Sequence, residues 1–211
     1  MSYDGIVSRS LNRPLSRPAA RAVARLPVTP NQVTAFTLLL AIATGGMVAA
    51  GWHVAGGIFI QVVSVVDGVD GELARIKNLA SRFGAVFDAV TDRYADAIML
   101  GGMVVFAVRF EDHPRPEFVG ALAVGAALIV SYSRARIEAD LPEVVAAGRL
   151  DSIFGLASRD VRSLIAAIGT VAGQCYYTLI FLAVLSGLTI AWRLAYLWWT
   201  VGRNTSQSRH H

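Results

Sequence analysis

The sequence predicts an all-α integral membrane protein, with six transmembrane helices preceded by an amphipathic helix in the membrane interface. Three observations carry that expectation. Of 211 residues, 55% are hydrophobic and 16% are charged, and the mean hydropathy is +0.52, a balance too apolar for an ordinary soluble domain. The polar breaks leave six apolar stretches, each near the roughly 20 residues that a helix needs to cross about 30 Å of hydrocarbon. The charges follow membrane topology: Ser2 to Leu26 carries five arginines against one acid and by itself accounts for the formal net charge of +4. A basic chain of pI near 9.6 with this distribution points to a lipid bilayer and away from nucleic acid. Cys175 is the only cysteine, which excludes an intrachain disulfide framework and a zinc-cysteine cluster.

The first element, over 2–26, places Arg9, Arg13, Arg17, Arg21 and Arg25 four apart on one helical stripe, with Ile6, Val7, Leu11, Leu15, Ala19, Ala22, Val23 and Leu26 between them. This is the pattern of a basic amphipathic helix in the headgroup plane, with kinks expected at Pro14 and Pro18. A topogenic positive-inside role and contact with lipid or substrate are both open for it. No cleavable signal peptide is expected, because no apolar run or small-residue cleavage site follows the short basic start.

Pro27 to Pro30 makes a turn, after which Thr29 or Asn31 can cap the next helix. Membrane spans are expected at 31–50, 54–76, 83–108, 117–138, 160–174 and 176–199. Gly51, Trp52 and His53 form one short turn and Arg109 to Glu117 another. The remaining basic residues, Arg75, Lys77, Arg82, Arg134, Arg136, Arg149, Arg159 and Arg162, collect on the other side with the amino-terminal arginines. The positive-inside rule then puts both ends in the cytoplasm. Trp192, Trp198 and Trp199 read as interfacial anchors. One membrane domain over 1–201 is expected, its bundle over 31–199, and the tail 202–211 reads as a tag remnant. No internal repeat is evident.

Asp67, Asp70, Glu72, Asp88, Asp92 and Asp96 are six of the fifteen acids, and they fall inside or at the ends of two expected spans. A carboxylate near the centre of a membrane helix costs roughly 2.5 to 3.5 kcal/mol, so a compensating charge is required. Asp67 and Asp70 are three apart and Asp88 and Asp92 four apart, which puts each pair on one face of its helix. On antiparallel neighbours the two pairs can converge. An all-oxygen set of this kind suits Mg²⁺ or Mn²⁺ and disfavours zinc or copper, and two ions about 3.5 to 4 Å apart would be placed to clamp phosphoryl oxygens. Ion pairs to Arg75, Arg82 and Arg93 are the alternative compensation. Gly71, Ala74 and Gly84 are small residues beside the acids that admit close approach of a ligand or of another helix, and Arg75 can hold a phosphate by bidentate contact.

The stretch Asp67-Gly-Val-Asp70-Gly71-Glu-Leu-Ala74-Arg75, then eight residues to Gly84, three to Asp88 and three to Asp92, resembles the signature of the CDP-alcohol phosphotransferases, with every fixed position filled. The resemblance covers nearly the whole chain. It implies an interfacial helix followed by six membrane helices, a homodimer, and an enzyme that moves a substituted phosphate group from a CDP-alcohol to an acceptor alcohol and releases CMP. By the same resemblance Asp67, Asp70, Asp88 and Asp92 would ligate one or two divalent ions, and Asp92 would also be the general base on the acceptor hydroxyl. Gly71, Ala74, Arg75, Ser81 and Gly84 would line the CDP site, joined by Asn31 and Thr34 from Thr29-Pro30-Asn31-Gln32-Val33-Thr34.

Arg134 and Arg136 at the end of the fourth span, with Arg159 and Arg162 at the start of the fifth, are candidates for an acceptor phosphate. Topogenic anchoring for the first pair, and pairing with Asp160 or Asp151 for the second, are the structural alternatives. Within the family the chain looks most like the branch that makes di-myo-inositol phosphate phosphate from CDP-inositol and inositol phosphate. That likeness rests on Asp4-Gly-Ile-Val-Ser-Arg9-Ser-Leu-Asn12-Arg13, on the Thr29 to Thr34 turn, on Ser81-Arg82-Phe83-Gly84 and on Ser158-Arg159-Asp160-Val161-Arg162. A cytidylyltransferase domain is often fused upstream in that branch, and a stand-alone enzyme or an excised domain both remain open. A phospholipid synthase with a CDP-diacylglycerol or CDP-archaeol donor is the alternative, and a cation transporter a remote one, for which neither inverted repeats nor interrupted spans stand out.

Overall fold

The computed structural model describes residues 11–142, 144 and 158–207, with side chains described to position 200. Its described residues form seven helices and no strand: α1 Arg13–Val23, α2 Pro30–Ala49, α3 His53–Lys77, α4 Arg82–Phe110, α5 Pro116–Asp140, α6 Arg159–Val171 and α7 Cys175–Gln207. The motif from Asp4 to Ser10, Arg149, Asp151 and the terminal Ser208 to His211 lie outside the described residues. Helices α2 to α7 coincide with the six expected stretches. Four of them, α2, α3, α5 and the Cys175–Thr200 part of α7, are long and apolar enough to cross a membrane. The other two differ for physical reasons. At 29 residues α4 is long enough but carries Asp88, Asp92, Arg93 and Asp96 in its first half, and α6, at 13 residues, extends only about 20 Å. The last helix runs on to Gln207, through the start of the tail expected from position 202.

Among the described residues the amphipathic element ends at Val23, short of the expected Leu26. It is helical from Arg13, with Pro14 in its first turn, where a missing N–H costs nothing, and Pro18 accommodated inside. Its buried residues are Ser16 and Ala20, and it packs on α3. Asn12 ties it to α3 and α6, donating from Nδ2 to Ser64 Oγ and to Asp160 Oδ1 at 3.0 Å each and accepting from Gln61 Nε2 at 2.9 Å. At its other end Lys77 Nζ donates to the carbonyls of Leu26 at 2.7 Å and Val28 at 2.8 Å, which closes the joint between α1 and α2 over the end of α3.

Thr29, and not Asn31, caps α2. Its hydroxyl accepts from Gln32 N at 3.4 Å while Gln32 Oε1 accepts from Thr29 N at 2.9 Å, a reciprocal box that satisfies two helix-end donors. Asn31 is thereby left for other use. Helix α3 ends on Asn78 in the left-handed conformation, a backbone state that asparagine tolerates, and Ser81 Oγ accepts from Gly84 N at 3.0 Å to start α4.

Helix α2 packs against α3 and α4, α5 against α4 and α7, and α6 against α3 and α7. The α2–α4 contact is a backbone approach: a Cβ on Gly102 would collide with the Gly45 carbonyl, and one on Gly45 would lie 2.8 Å from the Ile98 oxygen. The main core includes Val48, Ile60, Val63, Met103 and Leu179. A second, smaller cluster of Ala20, Val33, Val69 and Leu73 lies where α1 meets α3. Large apolar side chains such as Leu39, Val86, Val108 and Phe181 also face outward, as lipid-facing helices require. Several hydroxyls within the helices are satisfied locally, among them Thr37 on Val33 O, Thr44 on Leu40 O and Thr91 on Phe87 O, so these need no bulk water.

Candidate active site

The acids of α3 and α4 are brought face to face. One carboxylate oxygen from each of Asp67, Asp88 and Asp92 lies within 4.8 Å of the others, and all three residues are half-buried. Three oxygens at that spacing, on two helices held by a common packing partner, form a donor set suited to a hard divalent cation. Asp70 belongs to the same face but makes a different contact. It is buried, its Oδ2 accepts from the Thr34 hydroxyl at 2.5 Å, and its Oδ1 accepts from Gly71 N at 2.5 Å.

Asp70 and Asp88 share the wall of a cleft of about 220 Å³ between α2, α3 and the start of α4. Asn31, Thr34, Gly71, Ala74, Arg75, Ser81 and Gly84 all line it, so every residue that the resemblance assigned to a nucleotide lies on one surface. The glycines contribute space in different ways. A Cβ on Gly71 would meet nothing closer than the Arg75 guanidinium at 3.9 Å and would point into the cleft. At Gly84 it would press on Ser81 Oγ at 3.0 Å and Asn31 Oδ1 at 3.2 Å, so this glycine lets the α4 cap and the α2 start close on each other. Arg75 stands at the rim, 3.2 Å from Glu72, and Glu72 in turn meets Arg17 of α1 at 3.6 Å.

The charge nearest the aspartates comes from α6, a partner that sequence spacing does not reveal. Arg159 Nη1 pairs with Asp67 Oδ2 and lies 3.1 Å from Asp92 Oδ1, while its Nε donates to Asp96 Oδ1 at 3.2 Å. The other oxygen of Asp96 is 3.6 Å from Arg162 Nη2. Pairing of Arg159 with Asp160 is thus not what is found, and of the three arginines weighed as counter-ions from sequence, Arg93 alone reaches the cluster, at 3.5 Å from Asp92 Oδ2. Asp96, Arg159 and Arg162 also line a small cavity, about 30 Å³, with Ser163 and Ser186. Arg134 and Arg136 line neither the cleft nor this cavity. They form i,i+4 ion pairs along α5, with Glu138 at 2.9 Å and Asp140 at 2.7 Å.

Two residues of this region were not singled out as functional from sequence. Asp96 was noted only as one of the acids, although its spacing four residues beyond Asp92 carries it onto the same face. Arg193, buried in α7, donates to Val130 O at 2.6 Å and Ser133 Oγ at 3.1 Å and ties α7 to the end of α5 from which Arg134 and Arg136 project. An arginine inside an otherwise apolar stretch was the available signal.

Comparison with known proteins follows the same lines. A bifunctional IPC transferase and DIPP synthase of Rubrobacter xylanophilus is 45% identical over 172 residues, 81% of this chain and 37% of that protein. The chain spans 44% of a second protein of that name, from Aquifex aeolicus, at 33% identity over 92% of its own length, so less than half the length of either relative is represented. An archaetidylinositol phosphate synthase of Pyrococcus horikoshii is 30% identical over 82% of this chain and 85% of its own. Among solved structures, the phosphatidylinositol phosphate synthase of Mycobacterium tuberculosis with CDP-DAG bound superposes with a TM-score of 0.71 at 26% identity, covering 88% of this chain and 94% of that one. Its complex with manganese and citrate gives 0.72 at 27% identity, over 87% and 88%. The family model for CDP-alcohol phosphatidyltransferases matches residues 27–202, and with the aspartate signature converging beside a cleft, the chain belongs to that family of enzymes, which transfer substituted phosphate groups.

Proposed function

We propose that this chain transfers a substituted phosphate from CDP-inositol to an inositol phosphate, releasing CMP and forming di-myo-inositol phosphate phosphate. The observation that carries the reading is the adjacency of the Asp67, Asp88 and Asp92 oxygens to a cleft whose wall includes Asp70 and Asp88. The oxygens fit Mg²⁺ or Mn²⁺, and the manganese complex of the mycobacterial synthase supports a divalent ion in this fold. Asp67, Asp70, Asp88 and Asp92 would hold one or two ions, which when bound supply charge neutralisation on the donor pyrophosphate. Asn31, Thr34, Gly71, Ala74, Arg75, Ser81 and Gly84 bind the CDP moiety, with Gly71 admitting it closely and Arg75 pairing with a phosphate. Asp92 accepts the proton of the acceptor hydroxyl as that oxygen bonds to the phosphorus bearing the donor alcohol. The bond from that phosphorus to the CMP oxygen breaks, and CMP leaves. Arg159 binds the acceptor phosphate. Arg134 and Arg136 complete the basic approach to it from α5, held in place by their own ion pairs.

The likeness to the bifunctional synthases favours the soluble donor. A different observation favours a lipid-linked one: an apolar groove of about 700 Å³ between α1, α3 and α6, lined by Leu15, Ile58, Val62 and Ile168 among others, runs to Val66, the neighbour of Asp67. On that reading the protein is a phospholipid synthase using CDP-diacylglycerol or CDP-archaeol, in line with its archaetidylinositol phosphate synthase relative. In either case α2 to α7 form the membrane bundle and α1 lies in the interface, with the site and both ends cytoplasmic and two copies forming a homodimer. The arginine distribution and the four apolar helices support this placement.

The test is CMP release from purified protein with an inositol phosphate acceptor, comparing CDP-inositol with CDP-diacylglycerol. Release with CDP-inositol alone is the expected result. Release with the lipid donor alone makes the protein a phospholipid synthase, and release from neither with either metal rejects both.

A further inference from the structure

We infer that Arg159, tethered by Asp96, is the resident counter-cation of the aspartate cluster, that a divalent ion displaces it from Asp67 and Asp92, and that the freed guanidinium then binds the acceptor phosphate. Metal binding thereby builds the phosphate site. The inference deepens the role proposed above for Arg159 and rests on it.

Arg159 and a metal ion would call on the same two carboxylates. Asp67 and Asp92 are two of the three residues whose carboxylates converge for a metal, and both are engaged by Nη1 of Arg159. A divalent ion at these carboxylates would lie against the Nη1 charge, so the two cations compete for them. Half-buried carboxylates this close repel one another, and a cation of some kind must sit among them. Arg159 meets that need when no ion is bound, which keeps α3, α4 and α6 together around the site.

The guanidinium is held by two separable edges. Nη1 faces the metal-binding carboxylates, whereas Nε is bonded to Asp96, which is not one of the three converging acids. Loss of the Nη1 contacts therefore leaves the side chain anchored. Arg162 approaches the same carboxylate from its other oxygen, so two guanidiniums share Asp96. Once Asp67 and Asp92 turn to a metal, Nη1 of Arg159 loses both of these carboxylates, and a phosphate is a complement to it. A small cavity, with room for about a water or two, adjoins Asp96, Arg159 and Arg162. Ser186 also lines it, and its buried hydroxyl has no hydrogen-bond partner among the described residues, a polar group available to a ligand or its water.

Because the two binding events share Arg159, each must strengthen the other by the same factor. The experiment titrates Mn²⁺ into the purified full chain in detergent, reading free Mn²⁺ by electron paramagnetic resonance, with and without inorganic phosphate. In the wild type, phosphate is expected to tighten Mn²⁺ binding by about tenfold. Arg159→Gln removes the competing cation, so Mn²⁺ should bind several-fold more tightly than to the wild type without phosphate, and phosphate should add nothing. Asp96→Asn should keep the competition but weaken the phosphate effect, since the freed arginine has lost its anchor. Absence of a phosphate effect in the wild type overturns the inference without any variant. An undiminished effect in Arg159→Gln also overturns it, because phosphate would then be acting on the metal alone. Turnover is measured apart from this: CMP release without the coupling rejects the inference and leaves the proposed activity standing, and coupling without CMP release does the reverse.

Discussion

The hydroxyl of Thr34 donates to Oδ2 of Asp70 across 2.5 Å and so fixes a buried carboxylate of α3 to the first turns of α2. Asp70 is the signature aspartate that does not join the tight trio of Asp67, Asp88 and Asp92. Its orientation, and with it the shape of the cleft wall, depends on a residue thirty-six positions away. Thr34→Val keeps the volume and removes the donor. A hydrogen bond to a charged group contributes about 2 kcal/mol, so kcat/KM for the CDP-alcohol should fall roughly thirtyfold. Thr34→Ser should restore most of it. An unchanged kcat/KM in the valine variant would mean that Asp70 is held by Gly71 N alone.

Two glycines should respond in opposite ways. At Gly71 a methyl group has room in the protein and projects into the cleft, so Gly71→Ala should leave the melting temperature unchanged and raise KM for the CDP donor. At Gly102 any side chain meets the backbone of Gly45. Gly102→Val should cost about 1 to 3 kcal/mol as α2 and α4 are forced apart, read as a lower melting temperature, with KM for the donor little changed in the protein that remains folded.

At the far end of α4, Glu111 accepts from the N–H groups of Cys175 at 2.6 Å and Tyr176 at 2.7 Å, closing the amino-terminus of α7. A carboxylate there also meets the positive end of the helix dipole. Glu111→Ala leaves both donors without that partner and should destabilise the fold by about 2 kcal/mol, measured by thermal unfolding in detergent. Glu111 lies roughly 28 Å along the helix from Asp92, so kcat per folded molecule should not change. A selective loss of kcat would show that the two ends of α4 are coupled.

Much of this site was legible in the sequence because its parts are local. Asp67 and Asp70, like Asp88 and Asp92, are joined by helical periodicity, and the cleft residues lie within a few turns of them, which is why all seven expected nucleotide contacts fall on one surface. The six helical stretches were equally legible, and four of them are long and apolar enough to cross a membrane, since hydropathy over about 20 residues is a local property. What was missed is what distant segments do to one another. Nothing in the spacing of Arg159 shows that it crosses from α6 to Asp67, Asp92 and Asp96, and its neighbour Asp160 was the nearer acid on paper. Asp160 is instead a partner of Asn12, which came into view only when α1 was placed on α3. The short α6 was legible too: a stretch over 160–174 was expected, and the helix runs Arg159–Val171 before Gly173 takes a positive φ.

The central claim is that the converged aspartates form a metal-dependent phosphotransfer site in which Asp92 takes the acceptor proton. It is tested most directly by CMP release from a CDP-alcohol at saturating Mg²⁺ in the wild type and in Asp92→Asn, with Mn²⁺ binding measured on the same samples. The account predicts release that stops on chelation, and an Asp92→Asn protein that still binds Mn²⁺, more weakly, but is at least a hundredfold slower, on the order of what loss of a general base costs. Release that survives chelation, or an Asp92→Asn protein that turns over at the wild-type rate, would contradict it.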